Sequence, residues 1–164
     1  MVIVLMGVAG AGKTTVGRRL SVALNWQFYD ADAFHSNENI AKMEQGLALT
    51  DEDRLPWLQR LQASLAEWVS KNENVVLASS LVKQSHRRTV IAPAEASVRL
   101  VYLKASQSLL ARRLVERTGH FAGAALLESQ MAALDEPSSH AALILDASDS
   151  PEELVHQIRA ALQI

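Results

Sequence analysis

Residues Gly7-Val8-Ala9-Gly10-Ala11-Gly12-Lys13-Thr14 carry the spacing G-x-x-x-x-G-K-[ST], directly after the apolar run Val2-Ile3-Val4-Leu5-Met6. Small residues at these places let backbone N–H groups curl around phosphate oxygens, while a lysine reaches the outer phosphates and a hydroxyl ligates Mg²⁺. A helix opening at Lys13 adds the positive end of its dipole. The bland alternative is a glycine-rich turn between strand and helix. Against it stands the context, an apolar strand before the motif and an amphipathic segment after it, with Val16, Leu20, Val22 and Leu24 expected to face inward. Gly7, Val8, Ala9, Gly10, Ala11, Gly12, Lys13, Thr14 and Thr15 therefore form the expected nucleotide-binding set, with Thr14 as a metal ligand.

A second chemistry-bearing group is Asp30-Ala31-Asp32. The apolar stretches Asn74–Ala78 and Val98–Leu103 run into Ser79-Ser80 and Lys104, so neither ends in a carboxylate that could hold Mg²⁺. The spacing of Asp30 and Asp32 puts both carboxylates on one face if the strand continues, at the end where open α/β sheets bind ligands. One carboxylate could serve Mg²⁺ and the other an acceptor hydroxyl; a solvated turn with an Asp helix cap is the plain alternative. Next come His35, Asn37, Lys42 and Asp51-Glu52-Asp53-Arg54-Leu55-Pro56-Trp57, polar groups of both signs among apolar anchors (Phe34, Ile40, Met43, Leu47, Leu49, Trp57). This mixture suits the wall of a pocket for a small polyhydroxylated anion, and Arg54 could fork a carboxylate. Taken singly, the plainer reading is favoured for each: His35 as a turn residue, Lys42 as a solvated helix face and Arg54 as a partner of Asp51. A third group is Arg112, Arg113, Arg117 and His120. Arg113 and Arg117 lie four apart, where like charges on a helix repel unless an anion relieves them; surface pairing with Glu116 is the alternative. Thr118 to Ala125, with Gly119 and Gly123 after the arginines, is the candidate mobile lid.

Composition bounds the rest. A chain of 164 residues with 49% hydrophobic content reads as one domain, 1–164. Sixteen basic against eighteen acidic residues, a net charge of −2, leave no broad electrostatic footprint for nucleic acid or an anionic membrane. No apolar stretch approaches the roughly 20 residues that span a bilayer. The opening run lacks a basic leader, and the absence of cysteine excludes disulfides and thiolate metal sites, so a cytoplasmic address is expected.

Apolar strand candidates at Val2–Met6, Gln27–Asp30, Asn74–Ala78, Val98–Leu103 and Ala142–Leu145 alternate with helical patterns at Lys13–Leu24, Ile40–Glu44, Arg54–Lys71, Ser85–Ile91, Ser106–Arg117, Ala124–Leu134 and Pro151–Leu162. This alternation predicts an α/β fold, a five-stranded parallel sheet with helices on both faces.

Taken together, these residues resemble the gluconate kinase family of small phosphate-loop sugar-acid kinases, relatives in fold of shikimate and adenylate kinases. Beyond the phosphate loop, the likeness is carried by Asp30-Ala31-Asp32 with His35 and Asn39, Lys42-Met43, Gly46, Leu49, Asp51 with Asp53-Arg54, Pro56-Trp57-Leu58, Arg113-Leu114 with Arg117, Gly119-His120-Phe121, Ser129-Gln130, Leu134 and Glu136-Pro137. The resemblance implies a P-loop kinase fold and Mg²⁺-dependent transfer of the ATP γ-phosphoryl group to the 6-hydroxyl of D-gluconate. By the same resemblance Lys13, Asp32, Arg113 and Arg117 are catalytic. Asp32, His35, Lys42, Arg54, Lys83, Arg87, His120 and Gln130 bind the substrate, Thr14 and Asp30 serve the metal, and the protein is a homodimer. Alternatives are a kinase acting on another sugar acid or a shikimate-like metabolite, and a nucleotide-binding switch. Against the switch, the chain lacks an N-K-x-D guanine signature. The chain departs from the family where Cys-Ser-Ala-Leu-Lys-x-x-Tyr-Arg is usual. It reads Ala78-Ser79-Ser80-Leu81-Val82-Lys83-Gln84-Ser85-His86-Arg87, fitted with one extra residue near Val82, so that Lys83 and Arg87 are expected to be displaced or re-aimed by a local bulge. Ala31 in place of the usual Gly requires only that its φ stay negative.

Overall fold

The computed structural model describes the backbone of residues 1–116 and 121–164 and the side chains of 1–113 and 126–164. Five strands, β1 (Val2–Met6), β2 (Gln27–Asp30), β3 (Val75–Ser79), β4 (Val98–Lys104) and β5 (Leu143–Asp146), form one sheet in the order β2-β3-β1-β4-β5. Every pairing is parallel. Among the described residues the α-helices are α1 (Lys13–Leu24), α2 (Asn37–Glu44), α3 (Asp51–Ser70), α4 (Gln84–Ile91), α5 (Gln107–Glu116), α6 (Phe121–Ala132) and α7 (Pro151–Leu162). None is long and apolar enough to cross a membrane.

The central strand β1 explains the layering. All five of its residues are buried, and successive side chains point to opposite faces. Val2 and Val4 join Leu58, Leu61, Leu65 and Trp68 of α3, while Ile3 and Leu5 join Val16 and Leu20 of α1 and Leu154 and Ile158 of α7. Truncating a side chain such as Leu61, fully buried in this core, to alanine costs about 2–5 kcal/mol. On α1 the inward stripe is Val16, Leu20 and Leu24, each four residues apart. Val22 instead lies 82% exposed, because two residues from Leu20 is about 200° around a helix of 3.6 residues per turn.

Most element bounds match the periodicity to within one or two residues, but α2 and α6 begin three residues early, at Asn37 and Phe121, and so does α3, at Asp51. The start of α3 is set by a capping box: Thr50 Oγ1 accepts from the Asp53 N–H, and the Asp53 carboxylate accepts from the Thr50 N–H. Asp51, Glu52 and Asp53 also complement the helix dipole. Those three residues thus belong to a rigid helix rather than to a loop, which fixes Asp51 and Arg54 for the site described next. Next to β1 in the sheet, β3 pairs with it residue for residue through Ser79, so the extra residue expected near Val82 falls beyond the strand.

Candidate active site

Two clefts meet at the carboxyl ends of the strands, beside β1 where the strand order reverses, as expected for ligands of an open parallel sheet. The first, about 210 Å³, is lined by Ala9, Gly10, Gly12, Lys13, Thr14, Thr15, Asp30, Asp32, Ser79, Ser80, Leu126 and Gln130. Its floor is the loop between β1 and α1. Gly12 caps α1 at φ +98°, a left-handed conformation that a Cβ would strain. A Cβ on Gly7 would sit 2.9 Å from the Leu103 carbonyl oxygen, so the loop can follow its path only with glycine there. Lys13 Nζ donates to the Val8 carbonyl at 3.0 Å, folding the side chain back over the loop.

Thr14 Oγ1 donates to Asp30 Oδ2 at 2.9 Å, and the Asp32 N–H donates to Asp30 Oδ1 at 3.1 Å. The pair does not reach the cleft as two alternate residues of a continuing strand. β2 stops at Asp30, and Ala31–Phe34 form a 3₁₀ turn capped by the Asp30 side chain. This turn still brings Asp32 into the cleft beside Asp30. Ala31 is fully buried and keeps a negative φ, and its carbonyl accepts from Trp57 Nε1 at 2.8 Å. The Thr14 hydroxyl and the Asp30 carboxylate are hard oxygen donors in contact, and no group of three His, Cys, Asp or Glu that could enclose a metal exists among the described residues. This donor set fits Mg²⁺, which is commonly bound through one or two protein oxygens, with phosphate and water completing the shell. Ser79 Oγ, on the same cleft, is the one buried side-chain polar atom without a partner among the described residues.

The second cleft, about 60 Å³, shares Asp32, Ser80, Leu126 and Gln130 with the first and adds His35, Met43, Leu49, Arg54, Trp57, Leu81, Val82, Lys83 and His86. Asp32 is thus a common wall. Its pKa is raised, chiefly by burial in the cleft and then by the neighbouring Asp30 carboxylate, with Lys13 pulling the other way. His35 lies flat on Trp57, ring centroids 4.6 Å apart at 6°. Burial, with the cations Arg54 and Arg60 adding to it, lowers its pKa to about 4, so the ring is neutral near pH 7. Arg54 faces the cleft and pairs with Asp51 at 3.6 Å; Lys83 Nζ donates to both Asp51 oxygens at 2.7 and 2.8 Å.

Several expected site residues are placed differently. Lys42 pairs with Asp53 Oδ1 at 2.7 Å and does not line the cleft, since the Asp53 carboxylate at the start of α3 draws its ammonium aside. Arg87 is 7% exposed and spends its guanidinium on backbone carbonyls, those of Leu81 at 2.9 Å, Val82 at 2.8 Å and Asp135 at 2.7 Å. It lines a separate surface cavity of about 640 Å³ with Arg88, Ile91, Glu95 and Glu136, and so supports the Leu81–Val82 wall from behind. Arg113 likewise donates to the carbonyls of Gly10 and Ala11 at 3.2 Å and of Ala147 at 2.8 Å. Its guanidinium braces the outer side of the phosphate loop, next to a third cleft of about 250 Å³ formed with Thr15, Ala147, Asp149 and Pro151. Gln130 stands between the two main clefts, and its Oε1 accepts from the Ala9 N–H at 2.6 Å. Arg117, His120 and the first three residues of the expected lid, 118–120, lie outside the described residues.

Ser79, Ser80 and His86 belong to the 78–87 stretch where the chain departs from the family, but nothing in their spacing gives any one of them a role in the site. His86 lies on the buried side of α4 with Arg87 and Val90, in a stretch with no apolar period to betray which polar side chains turn inward.

A nucleoside-phosphate cradle at a sheet's switch point, joined through one raised-pKa carboxylate to a cleft of mixed charge, defines the class of phosphate-loop phosphotransferases. The family profile described as "AAA domain" matches residues 2–137. The chain is 38% identical to a gluconokinase of Arabidopsis thaliana over 169 residues, covering 96% of this chain and 89% of that protein. Among solved structures, it resembles a gluconokinase from Sinorhizobium meliloti 1021 (TM-score 0.85, 38% identity, 98% and 90% of the two chains). A sugar kinase from Janibacter sp. HTCC2649 superposes with a TM-score of 0.90 at 35% identity over 99% and 94%. The chain belongs to the gluconokinase family.

Proposed function

We infer that this chain transfers the γ-phosphoryl group of ATP to D-gluconate, giving 6-phospho-D-gluconate and ADP. The observation that carries the reading is Asp32, shared by the phosphate-loop cleft and the acceptor cleft. A carboxylate there accepts the proton of the attacking hydroxyl as the new O–P bond forms and the bond to ADP breaks. Its raised pKa makes it a stronger base than an ordinary aspartate. Lys13 and the N–H groups of the loop hold the phosphates and offset charge gathering on the leaving ADP. When bound at Thr14 and Asp30, Mg²⁺ supplies additional neutralisation of the phosphate oxygens. The nucleoside end of ATP lies in the cleft beside Arg113, Ala147 and Pro151, the cavity that opens from the outer side of the loop. Arg54 and Lys83 face the acceptor and suit its carboxylate.

The acceptor cleft is covered by Leu126, Ser129 and Gln130 of α6 and by Ala133 just after it, and it runs through Asp32, Ser80 and Gln130 into the phosphate-loop cleft. The Gln130–Ala9 bond is given up when phosphate takes that N–H. The protein works as a single-domain enzyme of the cytoplasm and as a homodimer, in keeping with its resemblance to the family.

Coupled ATP turnover with Mg²⁺ against D-gluconate, other sugar acids, shikimate, AMP and no acceptor tests the assignment. Turnover with gluconate well above the rest is the expected result. Turnover confined to another acid moves the substrate, and turnover without any acceptor overturns the kinase reading.

A further inference from the structure

Asp51, the first residue of α3, is the meeting point of three basic side chains. Lys83 Nζ holds both of its oxygens, His86 Nε2 lies 3.5 Å from Oδ1 and Arg54 3.6 Å from the same atom. The three basic residues line the acceptor cleft, whereas Asp51 does not and its side chain is 65% exposed. The cations thus face inward and their anion faces solvent. A carboxylate entering the cleft meets the same three groups from the other side and competes with Asp51 for them. Of these three side-chain types, imidazole is the one that ordinarily changes charge between pH 5 and 8, so within this cluster His86 sets whether the entering anion meets two cations or three.

We propose that His86 is a specificity-determining residue that makes recognition of the acceptor's carboxylate depend on protonation, with Asp51 the internal counter-anion that holds the cluster together between turnovers. The proposal rests on the reading that the acceptor is a sugar acid. The charged groups facing His86 are Asp51 and Arg54 from α3 and Lys83 just before α4; Asp32 and His35 share its cleft. Burial lowers the ring's pKa, Arg54 and Lys83 add to this, and Asp51 opposes it. The ring of the free protein is therefore mostly neutral near pH 7. A bound carboxylate is a second anion beside it and raises its proton affinity, so acid binding takes up a proton. Affinity for the acid must then rise, and its KM fall, as pH drops below neutrality.

The test is the KM for D-gluconate, the KM for ATP and the inhibition constant of D-glucitol, which has the same carbon chain without the carboxylate, measured from about pH 8 to about pH 5.5 on the wild-type protein, His86→Gln and Asp51→Asn. In the wild type the gluconate KM is expected to fall about three- to tenfold over this range, the size of one added charge interaction at a partly exposed site, while the ATP and glucitol constants stay flat. His86→Gln should remove most of this fall. Asp51→Asn should lower the gluconate KM at high pH, because Arg54 and Lys83 lose their internal competitor. Asp32 shares the cleft and also gains a proton on acidification, so its part of the slope survives in His86→Gln, and the comparison that decides is the wild type against that variant. A flat wild-type gluconate KM, an equal slope for glucitol, or a slope undiminished in folded His86→Gln overturns the proposal. Should His86→Gln fail to fold, His86→Asn takes its place in the same comparison. Absence of gluconate turnover at every pH overturns the sugar-acid reading itself, and this proposal with it.

Discussion

The phosphate end and the acceptor end of the cleft are built by opposite means. At the proposed phosphate end one contiguous stretch, Gly7 to Thr15, makes the cradle, its path set by Gly7 and Gly12, and the recognition groups proposed there are backbone N–H donors. Side chains from elsewhere merely brace it: Arg113 on its outer carbonyls and Gln130 on the Ala9 N–H. At the acceptor end the wall comes from the 3₁₀ turn after β2, from α2, α3, the segment before α4 and α6, and recognition rests on side chains already paired with one another. A backbone cradle admits little change without strain. A wall of paired charges can alter its preference through single substitutions while the sheet stays as it is, and so the fold of a phosphotransferase can be read more securely than its acceptor.

The largest way to break this comparison is at the shared machinery. Lys13→Ala is expected to lower kcat by about a thousandfold or more, the scale of losing a charged transition-state contact, with thermal unfolding little changed. Asp32→Asn is expected to cost about a hundredfold or more in kcat, and a near-normal rate in folded protein would remove Asp32 from proton transfer. Because its pKa is raised, the wild-type kcat should begin to fall, on acidification, at a higher pH than an ordinary carboxylate allows, and that acid limb should vanish in the residual activity of Asp32→Asn. Arg54→Ala sharpens the contrast between the two ends. The acceptor KM should rise about tenfold or more, the size of one charge-assisted hydrogen bond, with the ATP KM within about twofold; a selective ATP defect would contradict its placement.

The smallest effect concerns stability on the acceptor side. His35 is neutral in the fold down to about pH 4 but takes up a proton near 6.5 when unfolded. The unfolded state therefore binds more protons in that window, and stability is lost as pH falls from about 6.5 toward 4. Urea midpoints across this range should drop by the equivalent of about 1–2 kcal/mol in the wild type and by measurably less in His35→Gln, whose own stability at pH 8 is lower through the lost stacking on Trp57.

How far the sequence could be read follows the same division. The strand bounds of β1 and β2 and the helices α1 and α7 were legible because alternation, the phosphate-loop spacing and the Asp149-Ser150-Pro151 start signal are local. The first turn of α3 was missed, although Thr50 and Asp53 carry the capping pattern, because acidic first-turn residues have no apolar period. At the site the sequence singled out Asp30, Asp32, His35, Arg54 and Lys83, all of which face one of the two clefts. It also offered Lys42, Arg87 and Arg113 as ligand contacts; in the structure the first pairs with Asp53 and the other two donate to backbone carbonyls. A long cationic side chain reaches anything within several ångströms of its Cα, so its partner is not encoded in its spacing.

By itself, then, the sequence determined the elements, their alternation into a parallel sheet and the phosphate cradle, since each depends on neighbours within a few residues. Only the tertiary structure decided that Asp32 divides two clefts, that the guanidiniums of Arg87 and Arg113 are held by backbone carbonyls, and that His86 turns inward beside Arg54 and Lys83 around Asp51. Those outcomes depend on which helices the sheet brings within reach of one another, on how burial changes the proton affinity of the groups enclosed, and on charges that find their partners across 30 residues or more of chain.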